Sequence, residues 1–397
     1  MRNLISIIVA AAALQGCKWT EFDDLAATTW VGSQTKPNGE SASDYAVVIV
    51  NAASDPTGGK LAVLGNDKPS YSTLAYDATG KSSAGPNQTS LGIHFIVSLG
   101  EAPILIADAS TNKIAIVSAA IDSGNVAVVS GAPDSVADQT FQAQAPQAAT
   151  FANGNVVIVA GDPVPTVGTN IYTMSVSPPA KCTVLDDLGM PLSATAIASD
   201  GTLLWVWTKT GALFGYTAAT VMAGCATPKP PDTTVIATGF IAGTGARIHI
   251  VQAAGSSFAV LVAHGDKVTT GQVIVANLQT KTIVGTPLTA DGIRSSAVGP
   301  LGDPATGKWY VVLGLPERVV GTVTAGQVEL HEIDPMTGML TAQGTALYND
   351  AQPTNLELFG RSVAIMKFNG KNILAVAASN EIFAYFESAQ YLDTRLK

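Results

Sequence analysis

Three cysteines carry the most definite chemistry in this 397-residue chain. Cys17 follows a segment that contains one basic residue, Arg2, and a long apolar run, and the small Gly16 directly precedes it. A small residue there fits a narrow peptidase pocket, and the thiol can form a thioether with a lipid. Cys182 and Cys225 lie 43 residues apart, which excludes a CxxC redox motif. We expect this even pair to form a disulfide in an oxidising compartment.

The histidines and tryptophans give no pattern typical of catalysis. His94, His249, His264 and His331 are expected in different structural units, and no two of them have metal-ligand spacing. No Ser, Cys or Asp lies in a nucleophile elbow. We expect His249 and His331 to be packing or solvent-facing residues. A metal or acid–base centre would have to assemble from separate units. The sequence therefore predicts no enzyme, no metal site and no cofactor, and it does not define ligand-binding residues.

Trp205 and Trp207 lie two residues apart in the segment LLWVWTKT, so a strand would place both on one face of a sheet. Exposed, they could stack against sugars. We expect instead that they fill the space between two neighbouring sheets.

The N-terminal segment Leu14-Gln15-Gly16-Cys17 resembles the lipobox of bacterial lipoproteins, Leu-x-Gly/Ala-Cys. The resemblance implies a signal peptide over residues 1–16 and lipid on Cys17. Lys18, rather than aspartate, follows the cysteine, which by the same resemblance implies transport to the outer membrane. No later stretch approaches about 18 apolar residues, so the lipid is the expected membrane anchor. The net charge of −9, or −10 without Arg2, argues against nucleic acid as a partner.

Short apolar runs recur along the chain and indicate a repeated all-β unit. Seven of them, spaced 43 to 64 residues apart, start at Leu61, Ile104, Val156, Leu203, Phe258, Trp309 and Ile373. A strand of alternating character follows each run, and another candidate strand precedes most of them. A fully apolar strand between alternating ones indicates a sheet that is buried on both faces. We therefore predict an all-β fold, a seven-bladed β-propeller with about four antiparallel strands per blade over residues 41–397.

Residues 17–40 are expected to be a lipid-bearing tether that contains a possible ring-closing strand. The sequence leaves two candidates for that strand open. One is the segment DLAATTWV from Asp24, and the other is YLDTRL from Tyr391.

The segment FGRSVAIMKFNGKNILAVAASN resembles the FG-GAP repeat of integrin-α-type propellers. Phe359-Gly360 matches the opening, Asn369-Gly370 the turn, and Leu374–Ala378 the buried strand. The family's calcium loops need several carboxylates, whereas the corresponding segments here contain at most one each. We therefore expect no calcium at these hairpins and interpret their Asp and Asn residues as turn formers.

The resemblance implies a non-catalytic binding, adhesion or scaffolding module at the outer membrane or cell surface. Its expected partners are the membrane, through the lipid, and a protein or a surface glycan, with the propeller as a monomer. Asp-x-x-Thr-Gly turns at YDATGK and IDPMTGML are similar to those of quinoprotein-like propellers. They leave open an alternative, a periplasm-facing assembly factor for outer-membrane proteins. A propeller enzyme is a third class, which charged residues converging on the channel mouth would favour.

Overall fold

The structure is a computed structural model. The described residues are Phe151 and the strands between residues 17 and 173, then residues 180–237, 246–253, 255–264, 270–303, 305, 307–342, 344–347 and 359–360, and finally the strands between residues 362 and 385. The predicted signal peptide, residues 1–16, and the segment YLDTRL lie outside the described residues. In the described part, no helix is long and apolar enough to cross a membrane.

The first three sheets are built mainly from strands that follow one another in sequence, after an initial strand β1 (Cys17–Glu21). The first sheet contains β2 (Ala27–Ser33), β3 (Tyr45–Asn51), β4 (Lys60–Gly65), β5 (Ser70–Tyr76) and β6 (Ser82–Ala84). The second contains β7 (Ile93–Ser98), β8 (Pro103–Asp108), β9 (Lys113–Ile121), β10 (Ala127–Ser130) and β11 (Ser135–Ala137). The third contains β12 (Gln147–Thr150), β13 (Val156–Ala160), β14 (Asn170–Thr173) and β15 (Ala180–Cys182).

The next two sheets are four-stranded. The fourth contains β16 (Ala194–Ser199), β17 (Leu203–Thr208), β18 (Ala212–Thr217) and β19 (Thr233–Ala237), with helix α1 (Ala218–Ala223) between β18 and β19. The fifth contains β20 (Arg247–Ala253), β21 (Ser256–Ala263), β22 (Thr270–Asn277) and β23 (Thr282–Asp291).

In the sixth sheet, β24 (Ser295–Pro300) and β25 (Trp309–Leu315) are followed by a small hairpin of β26 (Val319–Val320) and β27 (Val323–Thr324). Strands β28 (Gln327–Glu332) and β29 (Thr345–Leu347) complete that sheet. The seventh sheet contains β30 (Ser362–Phe368), β31 (Lys371–Ala377) and β32 (Glu381–Tyr385). All the strand pairs within these sheets are antiparallel, so the predicted all-β antiparallel class is confirmed.

The seven apolar runs all form strands near the middle of their sheets. Six are the second strand, namely β8, β13, β17, β21, β25 and β31. In the first sheet the run is β4, the third strand, because β2 adds a further strand at that sheet's edge. A strand in the middle of a sheet is expected to be apolar on both faces, and in β17, β21 and β25 both faces contribute to the apolar layers between sheets.

The outermost strand of the seventh sheet is a segment that the sequence analysis did not single out, and the candidate YLDTRL lies outside the described residues. Strand β1 pairs antiparallel with β32, with Cys17 opposite Ala384 and Glu21 opposite Glu381. The segment from Asp24 instead supplies β2, which pairs with β3. The seventh sheet thus takes its outermost strand from the start of the chain.

The apolar core lies in layers between consecutive sheets. One layer joins the third and fourth sheets, for example Phe151 and Ile171 with Leu204. The next layer joins the fourth and fifth sheets. Two further layers join the fifth to the sixth sheet and the sixth to the seventh. Burial between sheets, rather than one central core, therefore holds this part of the fold together.

The first strands of the sheets also contact one another. Strand β2 contacts β7 on one side and β30 on the other. Strand β12 contacts β16, β16 contacts β20, β20 contacts β24, and β24 contacts β30. We call these the inner strands. In each sheet, the end at which the inner strand begins is also the end at which the second strand finishes, because the two strands are antiparallel.

Candidate functional site at the start of the inner strands

Polar side chains converge where the inner strands of the fifth and sixth sheets begin. Arg247 is the first residue of β20, His249 follows two residues later, and His264 comes directly after β21. In the sixth sheet, Arg294 directly precedes β24 and Ser296 is its second residue. We call these five residues the Arg247 cluster.

Strand register explains why three of these side chains share one face of the fifth sheet. Arg247 pairs with Val262 and His249 with Val260. Paired residues lie on the same face, and residues two apart along a strand return to it, so His264 follows Val262 on that face. Val260 and Val262 belong to the core layer against the sixth sheet. The cluster therefore caps this layer at one end.

Direct contact links the two halves of the cluster. The Nε2 atom of His249 lies 2.9 Å from the Oγ atom of Ser296, across the junction of the two sheets. The guanidinium of Arg247 donates through Nη1 to the carbonyl of Ala246 at 3.0 Å. His264 differs from both, because its Nε2 atom is buried and has no hydrogen-bond partner. An unpartnered buried imidazole nitrogen is costly, and such groups in native proteins call for an explanation.

Burial and the nearby guanidinium groups both act on the two imidazoles. Burial lowers the pKa of His249 to about 4, and the charge of Arg247 acts in the same direction. Burial also lowers the pKa of His264 to about 3, helped by Arg247, His249 and Arg294. Both imidazoles are therefore neutral at pH 7. Burial lowers the pKa of Arg247 as well, but a guanidinium group stays protonated at neutral pH. Glu317 offsets part of the charge of Arg294, because Arg294 Nη2 lies 3.4 Å from its Oε1 atom.

The contact between Ser296 and His249 has the distance of a nucleophile and its base. Two features argue against that role. Among the described residues, no carboxylate contacts His249 to orient the imidazole, as the third member of a triad would. Moreover, an imidazole with a pKa near 4 is a weak base at neutral pH. The arrangement is better suited to holding a ligand than to activating a hydroxyl group.

A second polar row lies on β28 and is largely structural. Glu329 accepts from Gln327 Nε2 at 3.0 Å and lies 3.8 Å from Arg318 and 3.5 Å from His331. His331 is 2% exposed and donates through Nδ1 to the Thr341 carbonyl at 3.1 Å. The prediction that His331 is a packing or solvent-facing residue is confirmed, since it is buried.

The expectation that the four histidines lie in different units is wrong for one pair. His249 and His264 belong to the fifth sheet and act on each other electrostatically. They are 15 residues apart in sequence, and the β20–β21 hairpin brings them to the same end. His94 is in β7, and its side chain lies outside the described residues.

Trp205 and Trp207 are both buried, at 1% and 0% exposure, in the layer between the fourth and fifth sheets. Their predicted role as filling between neighbouring sheets is confirmed, and sugar stacking is excluded. Trp205 Nε1 donates to Asp200 Oδ2 at 2.8 Å, whereas Trp207 Nε1 has no partner.

The two later cysteines lie at disulfide distance. Their sulfur atoms are 1.93 Å apart and their Cα atoms 3.7 Å apart, which joins the end of β15 to the segment after α1. Cys17 is the first residue of β1. The residues before it lie outside the described part.

Two carboxylates act as turn formers, as the sequence predicts: Asp303 in the hairpin segment GPLGDPATGK, and Asp334 in the Asp-x-x-Thr-Gly turn IDPMTGML. Asp303 accepts from the Ala305 amide at 2.7 Å. Asp334 accepts from the Met336 amide at 2.8 Å and the Thr337 hydroxyl at 2.8 Å, and these bonds lower the pKa of its carboxyl. In the described part of the chain, no three His, Cys, Asp or Glu side chains are grouped as metal ligands.

Comparison with known proteins identifies the fold. The structure is similar to the WD40 β-propeller domain of Doa1, with a TM-score of 0.50 over 94% of this chain and 96% of that domain, at 10% sequence identity. The fold is that of a β-propeller. No protein-family model matches the sequence, and no curated protein does either.

Proposed function

We propose that this protein is a lipid-anchored, non-catalytic β-propeller that binds a partner at the outer membrane or cell surface. The observation that carries the proposal is the fold, a β-propeller whose matched region covers nearly the whole chain. Propellers present loops on both faces of a rigid scaffold, and function resides in those loops. The seven sheets are proposed as seven blades of one ring, which β1 closes by completing the last of them.

The anchor rests on the lipobox-like segment before Cys17. If Cys17 carries lipid, the lipid is attached to the first residue of a strand in the seventh sheet. No long tether would then separate the propeller from the membrane, so one edge of the ring would stay close to the lipid headgroups. The orientation of the ring would restrict which loops a partner can reach.

The FG-GAP resemblance belongs to this proposal, and two structural features support it. Phe359 is fully buried in the layer between the sixth and seventh sheets, and its amide donates to the Ala325 carbonyl at 2.9 Å. Gly360 has a φ of +87°, and its carbonyl accepts from Ser295 Oγ at 2.8 Å. Phe-Gly thus attaches the start of an inner strand to the preceding sheet.

Lipid labelling and fractionation test the anchor. In a two-membrane bacterium, the wild-type protein should incorporate a clickable fatty acid and sediment with outer membranes. Cys17→Ala should abolish the label and leave an uncleaved or mislocalised precursor, whereas Cys182→Ala should retain the label. An unlabelled, unmodified Cys17 in the mature wild-type protein would refute the anchor.

The alternative function, a periplasm-facing assembly factor for outer-membrane proteins, differs in the side of the membrane that the propeller faces. Protease treatment of intact cells distinguishes the two. Cleavage of the propeller in intact cells supports a surface-exposed binding module. Cleavage only after the outer membrane has been opened supports the assembly factor.

A further inference from the structure

The Arg247 cluster has the chemistry of a ligand site rather than of a packed core end. Arg247, His249 and His264 are half-buried, so they border solvent while their inner atoms are shielded. The chain is acidic overall and has only six arginines, yet Arg247 and Arg294 both lie at this one end. These two guanidinium groups concentrate positive charge at this end, and Glu317 offsets part of the charge of Arg294.

The sign of the local field selects the class of ligand. Two histidines with buried nitrogen atoms could suggest a metal ion, because neutral imidazole is a common metal ligand. Here the guanidinium of Arg247 acts on both imidazoles, and a cation would experience the same repulsion. An anion would experience attraction of similar size. The cluster is therefore suited to an anion.

The available donors specify the anion further. Guanidinium groups donate in a planar fork that matches the oxygens of carboxylate and phosphate. The Nε2 atom of His264 has no partner in the structure and can donate when the ring takes that tautomer. Ser296 supplies a hydroxyl group from the neighbouring sheet. Together these groups offer donors from two adjacent sheets.

We infer that the Arg247 cluster binds an oxyanion group, a carboxylate or a phosphate, on the ligand of this propeller. Arg247 supplies the charge, while His264 and Ser296 donate hydrogen bonds from the two sides. The inference rests on the proposed binding role but not on the lipid anchor. It assigns ligand contact to the end of the molecule where the inner strands begin.

Histidine-selective NMR on the full-length protein tests the inference. With ¹⁵N-labelled histidine, signals of His249 and His264 should move on addition of inorganic phosphate or acetate at constant ionic strength, while those of His331 stay in place. Phosphate moving the signals at lower concentration than acetate would indicate a phosphorylated ligand, and the reverse order a carboxylate ligand. Chloride serves as the reference anion.

A charge-removal pair checks that the response arises at this cluster. Arg247→Gln should weaken binding about tenfold, since one charge-assisted hydrogen bond is lost. Lys308→Gln removes one exposed positive charge at the opposite end of the sixth sheet and should leave binding unchanged. If Arg247→Gln fails to fold, His264→Asn tests the same site.

Three results would overturn the inference. They are no movement of the His249 and His264 signals with either anion, equal binding by wild type and Arg247→Gln, and tight binding of Zn²⁺ by these two histidines. Each can occur while the lipid label on Cys17 is intact, so failure here is distinguishable from failure of the proposed anchor.

Discussion

Gly338 and Gly292 share a backbone conformation that favours glycine, but they differ in their surroundings. Their φ angles are +75° and +79°. A Cβ atom on Gly338 would lie 2.7 Å from Cδ1 of Phe258, a fully buried ring in the layer between the fifth and sixth sheets. A Cβ atom on Gly292 would meet nothing within 4 Å.

This difference allows the steric cost to be separated from the backbone cost. Gly292→Ala should lower the free energy of unfolding by about 1 kcal/mol, the cost of a left-handed residue with a side chain. Gly338→Ala should cost roughly 1–3 kcal/mol more, because Phe258 has to move within a packed core. Urea denaturation of both variants measures the two values. Equal losses would show that the Phe258 ring adjusts freely.

Single residues differ in how far the sequence predicts their roles. The burial of Trp205 and Trp207 follows from their spacing on one strand and from their size. The Arg247 cluster was missed, because its members come from two hairpins and the sequence does not show which strand ends meet. A usable signal exists in ARIHIVQA, where Arg247 and His249 alternate with apolar residues at the start of a strand.

At the scale of elements, the disulfide joins β15 to the segment that follows α1. Reduction reopens a loop of 43 residues, which on the chain-entropy estimate lowers stability by about 4 kcal/mol. Thermal melting with and without reductant should show a lower midpoint for the reduced protein. The double variant Cys182→Ser/Cys225→Ser should melt like the reduced wild type and no longer respond to reductant. Identical melting of oxidised and reduced wild type would contradict this prediction.

Strand β1 covers an edge of the seventh sheet, so its removal should have a local effect. Deletion of residues 17–21 leaves β32 as an unpaired edge strand. Backbone amides of Glu381–Tyr385 should then exchange hydrogen much faster, while those of β22 in the fifth sheet keep their protection. Unchanged protection of Glu381–Tyr385 would show that β1 does not hold this edge.

The sequence predicts the repeated strands better than the strands that join the ends. All seven apolar runs are strands near the centre of their sheets, and a central strand is expected to leave a strong apolar pattern in the sequence. The short polar strand β1 has no such pattern, since an outer strand packs on few neighbours. Its pairing with β32 depends on where the chain ends meet, which local sequence does not encode.

At the scale of the whole molecule, the apolar side chains packed between neighbouring sheets stabilise the described part of the fold. Asp303, the carboxylate of the hairpin segment GPLGDPATGK, already accepts from the Ala305 amide in its own turn. We therefore expect the same melting midpoint with excess calcium and with chelator. Calorimetry in both conditions measures it, with a calcium-loaded propeller of the FG-GAP class as a positive control. A rise of several degrees with calcium would reveal a site that the sequence analysis missed, since a bound ion adds to folding stability.

Acid should weaken the whole fold through the Arg247 cluster. His249 and His264 have pKa values of about 4 and about 3 in the folded protein, both below the ordinary value of 6.5. Arg247, Arg294 and Glu317 are the charged groups described around them. At a pH between the pKa of a histidine in the folded chain and its pKa in the unfolded chain, the unfolded chain binds a proton that the folded chain does not. Stability is therefore fully present above about pH 6.5 and is lost as the pH falls toward 4, by up to about 1.4 kcal/mol per pH unit for each histidine.

Urea denaturation in chloride-based buffers from pH 7 to pH 5 measures this loss. The protein should lose stability across the whole interval, and potentiometric titration at pH 5 should find about two more protons on the unfolded chain from these histidines. The double variant His249→Gln/His264→Gln keeps the carboxylates but lacks both imidazoles, so its stability should depend much less on pH. If the variant and the wild type show the same slope, the two histidines are protonated equally in both states. Burial of the two imidazoles, the largest cause of their lowered pKa values, would then be contradicted.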